Sequence, residues 1–185
     1  MKNTYLAGYF PFISVILFSL SFAVFVEKTS LNWLQAAGIY DGMKEVFSEA
    51  GMKLVLLLAF FLVFFMLFAA LKLIADTILG ISLLFFSKNH KLDVREYLRL
   101  CSVIYFVGGI LSILCSSWMA GIFFSFLGAV ISAFIYFIYK ISPALTLAGL
   151  VGIIFFHTLI WSSLLSVTAF SILKLYNSIL ASLPI

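Results

Sequence analysis

The stretch from Leu54 to Phe86 constrains this chain more than any other. It reads LVLLLAFFLVFFMLFAAL, then Lys72-Leu-Ile-Ala-Asp76, then TILGISLLFF, and Lys72 and Asp76 are its only charges. As a single helix it would measure about 50 Å against a hydrocarbon core of about 30 Å, so only part of it fits within lipid. Residues 54–71 hold no polar side chain and alone measure about 27 Å. A register centred on 64–86 would place Lys72 and Asp76 in the bilayer at roughly 2.5–3.5 kcal/mol each. It would also expel leucines and phenylalanines worth about −0.3 to −0.6 kcal/mol apiece. The first register wins. Lys72 then reaches the headgroups at the exit interface, and residues 76–86 follow as an interfacial helix or one packed beneath the bundle.

The rest of the chain agrees. Its 185 residues are 65% hydrophobic and 10% charged, whereas soluble domains carry roughly 25% charged residues. A soluble chain of this length has no means of hiding so much apolar surface. The net charge of +4 is spread beside apolar segments with no dense basic run, so nucleic acid is not an expected partner. Cys101 and Cys115 are fourteen residues apart, about 21 Å along a helix, and read as small apolar side chains.

The expected fold is an all-α, polytopic transmembrane helical bundle in one membrane domain. Five spans are placed at about 7–26, 54–73, 100–117, 121–139 and 144–166, with short interfacial amphipathic helices at about 30–50 and 76–86. The first apolar run is too long for a signal-peptide core, so it reads as a retained span, with Pro11 tolerated in its first turn. In the following loop Asp41 is expected to cap a short helix that Gly51 stops, with Met43, Val46, Phe47 and Ala50 on one face. Asp93 and Glu96 resemble a capping box before the third span. Ser142 and Pro143 are expected at the N-cap and first position of the fifth.

Small residues recur every four positions at Gly108, Ser112 and Ser116, and at Ser125, Ala129 and Ala133. Ala144, Ala148 and Gly152 form a third such ridge. This spacing lets helix backbones approach closely in lipid, and a turn at residues 116–121 makes the third and fourth spans antiparallel neighbours.

With five spans and the N-terminus inside, Lys2, Lys72, Lys88, Lys91, Arg95, Arg99 and Lys140 fall on the inner side. Lys28, Lys44, Lys53 and Lys174 fall outside. Seven against four favours a cytoplasmic N-terminus in a plasma membrane. LKLIADTILGIS (71–82) and LKLYNSILAS (173–182) share a pattern, but five spans do not halve evenly, so chance similarity is the preferred reading.

The opening MKNTYL…GYFP, the FFMLFAALKLIADT run (64–77) and the terminal KLYNSILASLP resemble the YufK-like family of small bacillar membrane proteins over the whole chain. The resemblance implies a Gram-positive plasma membrane. It implies no activity and transfers no functional residue.

Three ionisable residues lie in or against apolar segments: Lys72, Asp76 and His157. Such groups are functional candidates because their cost in a membrane must be offset. Lys72 and Asp76 are four apart on one helical face, in the weaker orientation for an ion pair, and read first as interfacial anchoring. His157 lies near the middle of the fifth span and reads first as a neutral, hydrogen-bonded imidazole. The sharper reading makes it a proton acceptor in a polar track with Thr158, Ser162 and Ser166. No HExxH, CxxC, GxSxG or phosphate loop is present, and no pair of acids lies within a span. No catalytic residue, cofactor or metal is therefore expected. The leading expectation is a non-enzymatic accessory component of the membrane. Its partners are the lipid bilayer and, through the small-residue ridges, another membrane protein or a second copy. The alternative is a small transporter or channel-like protein using Lys72, Asp76 and His157.

Overall fold

The computed structural model describes residues 6–46, 48–87 and 94–182, with side chains at 9–46, 48–87 and 100–182. Among them the chain is all-α. Helix α1 runs Leu6–Ala36, α2 Ile39–Val46, α3 Glu49–Phe86, α4 Val94–Leu114 and α5 Met119–Ile141. A 3-10 turn at Ser142–Ala144 precedes α6, Leu147–Ser182. Four helices (α1, α3, α5 and α6) are long and apolar enough to cross a membrane, and Leu100–Leu114 is a shorter apolar helix. The proposed capping box at Asp93 and Glu96 and the side chains of Lys2, Phe47, Lys88, Lys91, Arg95 and Arg99 lie outside the described residues.

The helices are longer than the apolar runs that nucleate them. Helix α1 passes Glu27 and Lys28 without a break and ends only where Gly38, at φ +70°, turns the chain. The Gly38 N–H donates to the carbonyl of Gln35 at 3.1 Å and the Ala37 N–H to that of Trp33 at 2.9 Å. A left-handed residue closing a helix is most easily a glycine. Because α1 already starts at Leu6, Pro11 sits in its second turn rather than its first, where it still removes only one early hydrogen bond.

Five local expectations are corrected. Asp41 lies within the first turn of α2 and is not its cap; a carboxylate there favours the helix through its dipole. Gly51 does not stop a helix. Ser48 caps α3 instead, with its Oγ accepting from the Gly51 N–H at 3.2 Å, the side chain to third-residue pattern of an N-cap. Val46 is 75% exposed and Ala50 exposed, so the packed face of α2 is carried by Tyr40 and Met43. Further along, Ser142 and Pro143 form the 3-10 turn, and Thr146 is the true cap of α6, its Oγ1 accepting from the Gly149 N–H at 3.1 Å. Helix α3 is also continuous across 73–76, where a separate interfacial helix was expected to begin. Nothing between Leu71 and Ile78 breaks a helix: there is no proline or glycine there.

The chain divides into two compact units, residues 1–73 with 92–141, and residues 74–91 with 142–185. In the first, α4 packs against α1 and α5. Gly108 of α4 faces Ala129 and the Ser125 carbonyl of α5 so closely that a Cβ on it would lie 2.5 Å from the Ala129 Cβ. The two small-residue ridges of the sequence meet there. A phenylalanine cluster joins α1, α3 and α5: Phe18, Phe22 and Phe68 are buried with Ile122 and Ala129. Phe18 meets Phe126 edge-on at 5.2 Å. In lipid there is little hydrophobic drive between helices, so such ring pairs, worth about 0.5–1.5 kcal/mol beyond area burial, and close backbone approach do most of the specifying. The buried hydroxyls of Ser14, Ser19 and Ser21 each donate to the carbonyl four residues back, at 2.6–2.9 Å, which satisfies them without leaving the helix.

In the second unit, Gly149 and Gly152 of α6 lie against Phe86 at the end of α3, and the Phe86 and Phe156 rings meet at 6.1 Å. From residue 162 to 182 every position of α6 is exposed.

Candidate functional site

His157 is the eleventh residue of α6, about 15 Å along it from Leu147, and is 7% exposed. It shares a buried stripe with Gly149 and Ile153, each four residues apart. Its Nδ1 lies 3.1 Å from the Ile153 carbonyl oxygen. A carbonyl only accepts, so this contact requires the hydrogen on Nδ1, and in the neutral ring Nε2 carries the lone pair. Thr158, one residue on, is exposed, as are Ser162 and Ser166. The Thr158 hydroxyl donates to the Ile154 carbonyl at 2.9 Å, and that of Ser163 to Leu159 at 2.8 Å. The four-residue polar stripe 158–162–166 thus exists, but on the exposed side of α6, whereas His157 is buried. One residue is a turn of about 100° on a helix, which separates the two sets.

Lys72 and Asp76 occupy successive turns of α3. Lys72 is half-buried and belongs to the first unit; Asp76 is exposed and belongs to the second. At the far end of α5, Lys140 Nζ lies 5.7 Å from the Tyr136 ring centroid, a cation–π arrangement with the chemistry of an interfacial anchor.

A second polar region lies in the charged segment between the first two apolar runs, where the sequence suggests a surface helix and not a cavity. A hollow of about 350 Å³ opens in the first unit where the end of α1, α2 and the start of α3 meet. Glu27, Lys28, Asn32 and Gln35 of α1 line one wall, and Glu49 and Lys53 of α3 line another. Buried Leu31 and Tyr40 also line it, in a small cluster with Met52. Lys53 Nζ donates to the Glu49 carboxylate at 2.8 Å, with Lys44 at 3.8 Å. The Lys53 hydrogen bond and charge hold the Glu49 carboxyl below the usual carboxylate range, and Glu49 in turn raises the Lys53 ammonium. Both side chains are half-exposed, so the pair adds little stability; it orders one wall. The available signal was the four-residue spacing of Glu27, Leu31 and Gln35, which continues the α1 helix beyond its apolar run.

Residues 27–184 match the model of a family of unknown function, DUF5366. The chain belongs to that family. It is also 43% identical, over 185 residues and the entire length of both chains, to the "Uncharacterized membrane protein YufK" of Bacillus subtilis (strain 168). No solved structure matches it. The family match begins at Glu27 and so takes in the hollow, Lys72, Asp76 and His157. The protein is therefore a membrane protein of the family that its opening, central and closing strings resemble.

Proposed function

We propose that the protein is a non-enzymatic accessory component of the bacterial plasma membrane, acting through contacts between its helices and those of a partner or a second copy. The observation that carries this reading is the last part of α6. Twenty-one consecutive residues, 162–182, are helical and exposed at every position. Ser166, Ala169, Ser171, Ser178 and Ala181 recur along them among leucines and isoleucines. A helix of this composition buries its small residues against another helix when one is available.

The test is recovery from native membranes. A variant with Ser166→Leu, Ser171→Leu and Ser178→Leu is expected to lose its co-purifying protein or its own oligomer, with helix content unchanged. A second reading, a small transporter, is favoured by the burial of His157 within α6. It wins if proteoliposomes of the native chain carry a proton-coupled flux that His157→Ala or Asp76→Asn abolishes while the α6 variant leaves partner recovery intact.

The same proposal places the N-terminus in the cytoplasm, on the seven-to-four distribution of Lys and Arg. With Cys101 and Cys115 replaced by serine, a single cysteine introduced by Ser87→Cys is expected to react with an impermeant maleimide only after permeabilisation. Labelling from outside intact cells would reverse the orientation.

A further inference from the structure

The hollow at the end of α1 carries features that a simple helix cap does not require. Its charges balance, with Glu27 and Glu49 against Lys28 and Lys53. Glu49 and Lys53 are committed to each other at 2.8 Å. Glu27 and Lys28, adjacent on α1, form no hydrogen bond or salt bridge among the described residues. Glu27 acts on Lys53 only through space. The hollow therefore presents one carboxylate and one ammonium side by side, over a base of buried Leu31 and Tyr40.

Its depth is set by the sequence. Glu27 directly follows the apolar run of α1, and Lys53 directly precedes the apolar run of α3. The mouth accordingly lies where hydrocarbon gives way to headgroups. Just beyond Lys53, Leu54, Val55 and Leu58 are 62%, 58% and 55% exposed, an apolar surface along which acyl chains can lie. A volume of about 350 Å³ is at the small end of ligand sites, about 300–1,000 Å³: enough for a headgroup, with the chains outside.

We propose that this hollow binds a phosphate–ammonium zwitterion, the headgroup of a phosphatidylethanolamine-type lipid. The phosphate oxygens accept from Lys28, and the primary ammonium donates to the Glu27 carboxylate. Quaternary ammonium recognition uses an aromatic cage, and among the described residues Tyr40 is the one aromatic residue lining the hollow, so the chemistry selects a primary amine with N–H groups to donate. An anionic headgroup without an amine would leave Glu27 facing a phosphate.

The experiment uses the full chain in detergent micelles doped with phosphatidylethanolamine, phosphatidylcholine or phosphatidylglycerol, read by native mass spectrometry. One phosphatidylethanolamine is expected to be retained in preference to the other two. Glu27→Gln and Lys28→Gln are each expected to weaken retention about 10- to 100-fold, as for loss of a hydrogen bond to a charged group. Lys28→Arg is expected to keep it, and Asp41→Asn, exposed and outside the hollow, to leave it unchanged. Helix content and unfolding temperature show that the variants are folded. Soluble phosphoethanolamine displacing the lipid at equal concentration would support the zwitterion site but assign it to a free metabolite. Equal retention of all three lipids, or unchanged retention in both Gln variants, overturns the proposal.

Discussion

Gly108→Leu is expected to destabilise the first unit by about 1–3 kcal/mol or more, the range for overpacking a closed core. The measurement is thermal unfolding of the purified chain in detergent. The cause is local and directional. A Cβ on Gly108 would lie 2.5 Å from the Ala129 Cβ, 3.3 Å from the Phe18 ring and 3.5 Å from the Ser125 carbonyl oxygen. Two of those three atoms are fixed to backbone, so the helices α4 and α5 must separate to admit a side chain. Separation would also disturb the Phe18–Phe126 and Phe68–Phe126 ring contacts, at 5.2 and 5.1 Å, because Phe126 and Ala129 belong to the same face of α5. Gly109→Ala is expected to act in the same direction, since its Cβ would meet the Leu17 Cβ at 2.9 Å. Gly128 is the control. Nothing lies within 4 Å of its Cβ position, so Gly128→Ala is expected to stabilise by about 0.5–1 kcal/mol through helix propensity alone. Opposite signs at 108 and 128 cannot come from a general intolerance of glycine replacement. Equal effects would show that the α4–α5 contact is not where Gly108 acts.

That contact was legible because its signal is periodic: Gly108 and Ser112 on one helix, Ser125, Ala129 and Ala133 on the next, joined by a turn too short for any other pairing. The all-α membrane class was equally legible, since no other solvent accommodates residues 54–71. Helix ends were harder. Charges at Glu27 and Lys28 end an apolar run but do not end a helix, because both residues are compatible with helical backbone and gain their hydrogen bonds within it. Only Gly38, with its left-handed φ, stops α1. At Ser142-Pro143 the familiar N-terminal pair was outcompeted by Thr146, whose hydroxyl reaches the Gly149 N–H. The hollow was illegible for a related reason. Its walls come from residues 27–35 and 49–53, the two ends of what the sequence patterns read as a single loop between spans, and only the continued α1 and an early start of α3 turn those ends into facing helix walls. His157 sits between these cases. Its place in an apolar run was legible, but its burial and the neighbours on its side of α6 depended on one residue of phase, and that phase leaves Thr158, Ser162 and Ser166 outside.

In the second unit, Gly149 and Gly152 meet the same residue through different atoms, and this gives a sharper prediction than either glycine alone. A Cβ at Gly152 would collide with the Phe86 ring at Cε1 and Cδ1; a Cβ at Gly149 would lie 2.8 Å from the Phe86 carbonyl oxygen. A ring is removable and a carbonyl is not. Gly152→Ala is expected to lower stability by about 1–3 kcal/mol, and Phe86→Ala by less than the about 3–5 kcal/mol of a fully buried ring, because Phe86 is only half-buried. The double variant should then recover most of the Gly152→Ala loss, giving a coupling energy of about 0.5–3 kcal/mol. Gly149→Ala should be unaffected by Phe86→Ala, because the obstructing oxygen remains, and the Thr146 cap hydroxyl at 3.3 Å crowds the same position. Coupling at 152 without coupling at 149 would establish that α6 is held to the end of α3 by a ring seated on one glycine and a backbone contact at the other. Coupling at both, or at neither, would mean that Phe86 does not seat on α6 as described, and the start of α6 would have to be fixed by Ile153 and His157 instead.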